Sequence, residues 1–138
     1  MFVGAAGTGK TCAALCVLDW AACGRKYWTM AELCTELISV QAGEREYGQV
    51  TDSPRWWWER YAERGLVCID EIGARENVSD FHYETLKRAM DSREGKPVVL
   101  ISNEPIDRLA RIYDDRVASR MAGGTVIEFG GPDQRLTQ

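Results

Sequence analysis

The stretch that most constrains the fold of this chain is residues 4–11, Gly-Ala-Ala-Gly-Thr-Gly-Lys-Thr, which fits the pattern G-x-x-x-x-G-K-[ST] at every fixed position. Its glycines let the backbone turn tightly and bring N–H groups close to an anion without Cβ clashes. A lysine follows, and a helix that begins there points its positive end at the same anion. Residues 4–11, called the phosphate loop below, are therefore predicted to cradle a polyphosphate between a strand ending at Val3 and a helix.

Individual side chains of the phosphate loop have predicted roles. Lys10 supplies a mobile positive charge for the β- and γ-phosphates of a nucleotide, and the Thr11 hydroxyl is suited to ligate Mg²⁺. The alternative is a glycine-containing turn that matches the pattern by accident, and the flanking apolar strand and helix argue against it. The predicted nucleotide-binding residues are Gly4, Ala5, Ala6, Gly7, Thr8, Gly9, Lys10, Thr11 and Cys12.

Length and composition indicate one ordinary globular domain over residues 1–138. Hydrophobic residues make up 45% and charged residues 28% of the chain, values typical of soluble proteins. No apolar run is long enough to span a membrane, and no secretory signal precedes the phosphate loop. A cytoplasmic protein without membrane contact is therefore expected.

The charge balance bears on contact with nucleic acid. A net charge of −4 and a pI near 5.1 argue against a protein that coats nucleic acid through bulk charge. Any contact with DNA is therefore expected to be local, or shared around an oligomer. Four basic residues could touch a nucleic-acid backbone, and a solvated helix face explains them equally well. They are Lys87, Arg88, Arg93 and Lys96.

The five cysteines are odd in number and contain no C-x-x-C pair. Cys12 and Cys16 lie one helical turn apart, so a metal pair is conceivable, but His82 is the only histidine and no other soft ligand clusters with them. Buried, reduced thiols are the favoured interpretation, and they fit a reducing cytoplasm. The other cysteines are Cys23, Cys34 and Cys68.

Strand-like and helix-like segments alternate along the chain, which predicts an α/β domain with a mostly parallel sheet. Besides the strand before the phosphate loop, strands are predicted at 27–30, 66–69, 98–101 and 125–129, and helices at 11–23, 31–41, 54–63, 80–92, 105–112 and 114–122. Residues 42–53 are polar, contain two glycines and are predicted to form a loop. Only three residues precede the phosphate loop, whereas a central strand usually has about five, so a truncated domain is expected.

Ser53 and Pro54 mark a helix start, with Ser53 as the cap and Pro54 in the first helical position. This helix carries three adjacent tryptophans, Trp56, Trp57 and Trp58. Adjacent residues point in different directions around a helix, so at least one of these side chains is expected to be exposed. Core packing with one surface aromatic and contact with a partner explain the cluster equally well.

Asp70 and Glu71 follow four apolar residues, at the carboxyl end of a strand that is predicted to be buried on both faces. Ligands bind at that edge of open parallel sheets. Asp70 is suited to hold Mg²⁺ in its second coordination sphere near Thr11, and Glu71 to orient and polarise an attacking water. Asn103 ends the next apolar strand, where its amide could hold the same water or a γ-phosphate oxygen. The alternatives are an acidic start to a loop for the two carboxylates and a turn residue for Asn103.

Arg116 and Arg120 lie four residues apart, so a helix over 114–122 places both on one face. An arginine that reaches the γ-phosphate bound to a neighbouring subunit stabilises the charge of the transition state. Two surface salt bridges are the alternative explanation of the same spacing.

Together these residues resemble the AAA+ ATPases of the DnaC-type helicase loader and IstB-type transposition helper group. The resemblance covers most of the chain: a Walker A loop at 4–11, a Walker B stretch at 66–71 followed by Ile72-Gly73, Lys96-Pro97 leading into 100–103, and 115–121 followed by a strand. The last two blocks distinguish this group from P-loop proteins in general. The resemblance implies a P-loop NTPase fold, a three-layer α/β/α core without a lid domain.

The same resemblance implies a function. It assigns the sensor-1 role to Asn103 and the arginine finger to Arg120, with Arg116 as second choice. The implied activity is slow hydrolysis of ATP with Mg²⁺ as a switch, in a homo-oligomer whose subunits form a ring or spiral around single-stranded DNA. The implied partner is a replicative helicase or a transposase. Members of the group carry an N-terminal extension that contacts the helicase and upstream residues that hold adenine, and this sequence departs from them in both.

Two other functions share the phosphate loop. A small-molecule kinase would have an acceptor-binding lid and would not need Glu71 to activate water. A nucleotide-gated docking module would bind nucleotide with little or no hydrolysis, and the tryptophan cluster permits it.

Overall fold

The computed structural model describes residues 1–21, 24–44, 46–47, 50–51 and 53–136. Its strands are β1 (Phe2–Val3), β2 (Arg25–Thr29), β3 (Glu46–Tyr47), β4 (Val50–Thr51), β5 (Leu66–Asp70), β6 (Val98–Ser102) and β7 (Ile127–Glu128). Five of them form one sheet in the order β2-β5-β6-β1-β7, and all its neighbouring strands are parallel. The strand before the phosphate loop is therefore flanked by β6 and β7.

Helices cover both faces of this sheet. They are α1 (Lys10–Trp20), α2 (Met30–Gln41), α3 (Pro54–Glu63), α4 (Asp80–Asp91), α5 (Ile106–Ile112) and α6 (Asp115–Ala122), with a short 3₁₀ helix at Gln134–Leu136. Ala14 and Leu18 of α1 pack with Phe2, Cys68 and Ile101, and a separate, larger cluster holds buried side chains of α2 to α6. The predicted three-layer α/β/α architecture with a parallel sheet is thus confirmed. None of these described helices has the length and apolar character needed to cross a bilayer.

β5 is buried along its whole length, as its continuous apolar run predicts. Val67 and Ile69 belong to the larger cluster, whereas Cys68 packs on the α1 side. Side chains alternate along a strand, so Asp70 points to the same side as Cys68. The strand thereby delivers Asp70 to the first turn of α1.

Four helices begin with a polar residue whose side chain accepts a hydrogen bond from the backbone N–H of the third helical residue. At α2 the cap is reciprocal, because the Glu32 carboxylate accepts from the backbone N–H of Thr29 at 2.8 Å. At α3 the cap is Ser53, as predicted, and its Oγ lies 3.2 Å from the backbone nitrogen of the third helical residue. Ser79 and Asp114 cap α4 and α6. These caps fix where the four helices begin.

α1 is shorter than predicted, and only one of its sides is buried. It ends at Trp20, whereas the predicted helix covered 11–23. Ala14 and Leu18 are buried, but the side chain of Trp20 is 91% exposed. The sheet covers only one side of the helix, so apolar residues on its other sides, such as Leu15 and Val17, are exposed.

Two further segments differ from their predictions. Residues 42–53, predicted as a loop, include an antiparallel pair in which β3 runs beside β4. Tyr, Val and Thr favour strands, but the residues around them are polar, so the sequence pattern of the segment predicts a loop. The last strand, predicted at 125–129, is limited to Ile127–Glu128, which pair with the two residues of β1.

The tryptophan cluster of α3 belongs mostly to the core. Trp57 and Trp58 are 3% and 7% exposed, and Nε1 of Trp57 donates to the Glu36 carboxylate at 2.8 Å. Trp56 is the partly exposed member, and the Arg60 guanidinium lies 3.7 Å from the centroid of its ring. One exposed aromatic was expected and Trp56 matches it, while contact with a partner stays a prediction.

The four cysteines that the structure describes divide into two buried and two exposed residues. Cys34 and Cys68 are buried, as predicted. Cys12 and Cys16 are exposed, so the expected burial is wrong for them, because α1 turns this side away from the sheet. Cys23 lies outside the described residues. The described part of the chain contains no group of three or more His, Cys, Asp or Glu side chains that could hold a metal ion.

Candidate nucleotide site

The phosphate loop connects β1 to α1, which is the strand–loop–helix order that its pattern predicts. Gly7 and Gly9 have φ values of 74° and 93°, a region that residues with a Cβ atom rarely adopt. Lys10 is the first residue of α1 and follows Gly9 directly. The amino end of the helix therefore adjoins the loop, where its dipole favours an anion.

The Lys10 side chain lies within the phosphate loop. Its Nζ donates to the carbonyl oxygens of Gly4 and Ala5, both at 2.7 Å, and the residue is only 5% exposed. Burial lowers the pKa of Lys10, and the nearby Asp70 carboxylate opposes this shift. The loop thus holds a fixed positive charge among its own backbone groups, which suits an anionic ligand.

Asp70 accepts hydrogen bonds on both of its carboxylate oxygens. Thr11 Oγ1 donates to Oδ2 at 2.7 Å, and the Tyr27 hydroxyl donates to the same oxygen at 2.8 Å. The backbone N–H of Glu71 donates to Oδ1 at 2.6 Å. The structure therefore brings together Thr11 and Asp70, the two predicted metal-site residues. A hydroxyl and a carboxylate in contact are hard oxygen donors of the kind that Mg²⁺ prefers, so the residues present fit this ion.

Tyr27 was not predicted as a site residue. Burial raises the pKa of Tyr27, with a further contribution from its hydrogen bond to Asp70, so the phenol keeps its proton and acts as the donor. The residue lies two positions before Thr29, which pairs with Asp70 in the sheet. The sequence predicts this contact only once β2 and β5 are known to be neighbouring strands.

Glu71 has an unusual backbone conformation. Among the described residues other than glycine, it alone has a positive φ, 59°, which costs about 1–2 kcal/mol for a residue with a side chain. The N–H of the next residue, Ile72, donates to the carbonyl of Ile101 at 3.0 Å and holds the turn. The Glu71 side chain is exposed and lines a cleft of about 440 Å³ together with Arg75 and His82. Its carboxylate is thus open to solvent beside the buried Asp70.

Asn103 lies at the same edge of the sheet. It follows Ser102, the last residue of β6, which pairs with Val3 at the start of the phosphate loop. The Ser102 hydroxyl donates to the Ile72 carbonyl at 2.6 Å and ties this strand end to the turn after β5. Asn103 is exposed. Asp70 therefore ends β5, and Glu71 and Asn103 directly follow β5 and β6 at the carboxyl edge, as the sequence predicts.

Arg120 is not close to the phosphate loop of the same chain. It forms an ion pair with Asp91, the last residue of α4. It lines a cleft of about 850 Å³ with Gly95, Lys96 and Val98, which lie at the amino end of β6. This is the edge of the sheet opposite to the one that carries Asp70.

Arg116 lies in the first turn of α6 and is exposed. It interacts electrostatically with Asp114, the cap of the same helix. A hydrogen bond from the Tyr83 hydroxyl lowers the pKa of Asp114, and Arg116 adds a smaller effect in the same direction. The structure therefore places Arg120 at the opposite edge of the sheet from Asp70, and Arg116 beside the cap of its own helix.

Two of the four basic residues considered for DNA contact have internal partners. Arg93 is 2% exposed, and its guanidinium donates to the carbonyls of Arg64, Gly65 and Pro97. Lys96 Nζ donates to the carbonyl of Ala62 at 2.6 Å. These side chains join the end of α3 to the start of β5 and β6. For Arg93, both sequence interpretations, a DNA contact and a solvated helix face, are wrong.

The segment after β7 lies across the phosphate loop. The backbone N–H of Gln134 donates to the Gly7 carbonyl at 3.0 Å. A Cβ atom on Gly7 would lie 1.7 Å from Oδ1 of Asp133, and one on Gly4 would lie 2.1 Å from the Phe129 carbonyl oxygen. Two loop glycines thus have a second reason to lack a side chain. No sequence motif predicts this contact between the segment after β7 and the phosphate loop.

Comparison with known proteins places the fold. No protein-family model matches the sequence, and no curated protein matches it either. DnaA from Aquifex aeolicus bound to AMPPCP gives a TM-score of 0.76 at 17% identity, over 93% of this chain and 39% of that one. The replication initiator DnaA bound to AMPPCP and single-stranded DNA gives 0.77 at 16% identity, over 96% and 40%. A DnaC helicase loader gives 0.74 at 18% identity, over 94% and 76%.

These similarities establish which fold the chain has. It is the α/β fold that the DnaA and DnaC structures have, as the sequence motifs predict. The chain spans 39% and 40% of the length of the two DnaA chains.

Proposed function

We propose that this chain is the nucleotide-binding core of an ATPase that works as a switch, and that it loads or remodels a machine of DNA replication or transposition. The observation that carries the proposal is the 2.7 Å hydrogen bond from Thr11 to Asp70, next to the buried Lys10. It supports a site in which the loop amides, a lysine, a hydroxyl and a carboxylate act on the same phosphates. The two DnaA structures with this fold hold AMPPCP.

Lys10, Thr11 and Asp70 hold ATP and Mg²⁺, with the backbone N–H groups of residues 4–12 around the phosphates. The Lys10 ammonium, which now donates to loop carbonyls, binds phosphate oxygens. The Thr11 hydroxyl continues to donate its hydrogen bond to Asp70, and a lone pair of the same oxygen stays available for the ion. When bound, Mg²⁺ supplies positive charge that offsets the charge of the β- and γ-phosphates.

Glu71 and Asn103 promote hydrolysis. The Glu71 carboxylate accepts a hydrogen bond from the attacking water and takes its proton as the oxygen–phosphorus bond forms. The bond between the γ-phosphorus and the bridging oxygen breaks, and the products are ADP and phosphate. Asn103 holds the same water or a γ-phosphate oxygen through its amide.

Arg120 acts on the nucleotide of a neighbouring subunit, with Arg116 as second choice. Within its own subunit Arg120 pairs with Asp91 at the opposite edge of the sheet, which supports action across an interface. The arrangement requires a homo-oligomer. An isolated subunit is therefore expected to hydrolyse ATP slowly.

The proposed partner is a replicative helicase or a transposase, and the proposed location is the cytoplasm. One protein with this fold is a DnaC helicase loader, and another is a DnaA initiator bound to single-stranded DNA. The sequence motifs resemble both loaders and transposition helpers. Single-stranded DNA is accordingly proposed as a ligand of the assembled oligomer.

The test measures binding of a fluorescent ATP analogue with Mg²⁺, and release of phosphate from ATP, for three variants. Hydrogen bonds to charged groups contribute about 1.5–3 kcal/mol, so Lys10→Ala is expected to weaken binding about ten- to hundredfold. Glu71→Gln is expected to keep binding and lose phosphate release. Lys87→Ala, which removes a lysine that lies 3.8 Å from Glu84 on the surface of α4, is the control and should change neither.

The outcomes separate the three functions. Phosphate transfer that requires an added acceptor would identify a kinase. Nucleotide binding without hydrolysis, even with DNA and partner present, would identify a docking module. Failure of the wild-type protein to bind nucleotide would contradict the proposal.

A further inference from the structure

Tyr27 lies on β2 in the row of side chains that faces α1. It pairs with Cys68 in the sheet, while Thr29 pairs with Asp70. Its ring packs against the α1-side cluster, and its hydroxyl reaches diagonally to Oδ2 of Asp70 at 2.8 Å. The side chain therefore does two separable things, since the ring fills the core and the hydroxyl contacts the site.

We infer that Tyr27 is a positioning residue that fixes the metal-holding carboxylate of Asp70. The inference rests on the proposed function, because it takes Asp70 to hold Mg²⁺ beside Thr11. It adds a residue that neither the loop pattern nor the acidic strand end contains.

The hydrogen bonds of Asp70 show why the hydroxyl is needed. Oδ2 accepts from two hydroxyls that arrive from different elements, Thr11 from α1 and Tyr27 from β2. Oδ1 accepts from the backbone of Glu71. With Asp70 only 5% exposed, water is poorly placed to replace a lost donor. Without the phenol, Oδ2 keeps only the Thr11 hydroxyl as a donor, so fewer hydrogen bonds fix the plane of the carboxylate.

The chemistry of the donor also matters. A phenol is neutral at physiological pH, so it orients the carboxylate without cancelling the negative charge that attracts a cation. An arginine or lysine at the same place would compete with Mg²⁺ for Asp70. Groups that hydrogen-bond to a metal-binding side chain typically change metal affinity or activity about 10–100-fold when they are lost.

The test replaces Tyr27 by phenylalanine, which keeps the ring in the core and removes only the hydroxyl. Tyr83→Phe is the matched control, because the Tyr83 hydroxyl also donates to a carboxylate, Asp114 Oδ2 at 2.6 Å, away from the phosphate loop. Mg²⁺ is titrated into each protein with a fluorescent ATP analogue, and nucleotide affinity is measured separately in EDTA. Thermal unfolding of each protein is recorded without ligand.

Tyr27→Phe is expected to need about tenfold more Mg²⁺ for half-maximal binding, with nucleotide affinity in EDTA unchanged. Tyr83→Phe should titrate like the wild type. A Tyr27→Phe titration that overlays the wild type would overturn the positioning role alone. So would a loss of affinity that is equal with Mg²⁺ and in EDTA, since that reports a structural role. Absence of Mg²⁺-dependent nucleotide binding by the wild type would overturn the proposed function and this inference together.

Discussion

Single residues of the phosphate loop carry two constraints at once, one from the ligand and one from the chain itself. Gly7 has a positive φ of 74°, and the Asp133 carboxylate occupies the space where its Cβ would lie. The loop pattern predicts the first constraint. It does not contain the second, because residues 129–134 have no motif that relates them to residues 4–7.

Gly7→Ala is therefore expected to destabilise the fold by more than its backbone conformation alone requires. Gly95→Ala is the matched control, since Gly95 has a φ of 72° and a Cβ added there would meet open space among the described residues. A left-handed conformation costs an alanine about 1–2 kcal/mol at either site, and the clash with Asp133 adds a further ~1–3 kcal/mol at Gly7. Urea unfolding of both variants measures the difference, and equal losses would show that the segment after β7 yields freely.

The reactivity of the cysteines is expected to differ between the buried and the exposed thiols. Burial raises the pKa of Cys34 to about 11, and burial together with the Asp70 charge raises the pKa of Cys68 to about 12. A raised pKa keeps a thiol protonated, so neither should react with iodoacetamide near neutral pH. Cys12 and Cys16 are exposed and should react.

ATP with Mg²⁺ should protect Cys12, which follows Thr11 directly, and leave Cys16 one helical turn further on as an internal control. Peptide mass mapping of alkylated protein measures both sites. Equal protection of the two cysteines would point to a general change in conformation and contradict binding at the loop.

At the scale of elements, continuous or periodic hydropathy patterns predict structure correctly where the burial of an element does not depend on several neighbours at once. The apolar run of β5 predicts a strand buried on both faces, and the structure has it. α1 has apolar residues around most of its surface, yet Trp20 is 91% exposed. Hydropathy records what a helix can bury and not how many neighbours cover it. The contact of Tyr27 with Asp70 could not be predicted for a similar reason, because strand pairing is set by the whole sheet.

Arg93 shows how one side chain joins several elements. Its guanidinium donates to the carbonyls of Arg64, Gly65 and Pro97, which belong to the segments around β5 and β6. Arg93→Met is expected to lower the free energy of unfolding by about 3 kcal/mol, because buried acceptors lose their donors.

Arg88→Met is the control for Arg93. Arg88 is exposed and lies 4.6 Å from the ring of Trp58, a cation–π contact of about 0.5–1 kcal/mol at the surface. Chemical denaturation of both variants measures the contrast. Similar losses would mean that the carbonyls at the end of α3 find other donors.

At the scale of the whole molecule, the proposed site is complete only in an oligomer. Arg120→Ala should retain nucleotide binding and lose most ATP hydrolysis, because in the proposed arrangement its guanidinium acts on the nucleotide of the next subunit. Mixed with wild type, it should lower activity by more than its share of the protein. Asp91→Asn breaks the pair within the subunit but keeps the guanidinium, so it should remain active. Activity per subunit that is independent of protein concentration and of the mutant fraction would contradict this arrangement.

The fold could be predicted from the sequence because its motifs are local and each implies a fixed neighbour. A phosphate loop requires a strand before it and a helix after it, and acidic strand ends meet at one edge of a parallel sheet. The contacts that were missed join residues far apart in the chain, such as Asp133 with Gly7 and Tyr27 with Asp70.

The position of β1 inside the sheet has a consequence for synthesis. Phe2 pairs with Ile101 on one side and with Ile127 on the other. A ribosome must therefore pass residue 127 before β1, which precedes the phosphate loop, has a strand on each side. Contacts so distant in sequence form slowly. Nascent chains that stall earlier lack this pairing, and their unpaired strands stay available to chaperones or to aggregation.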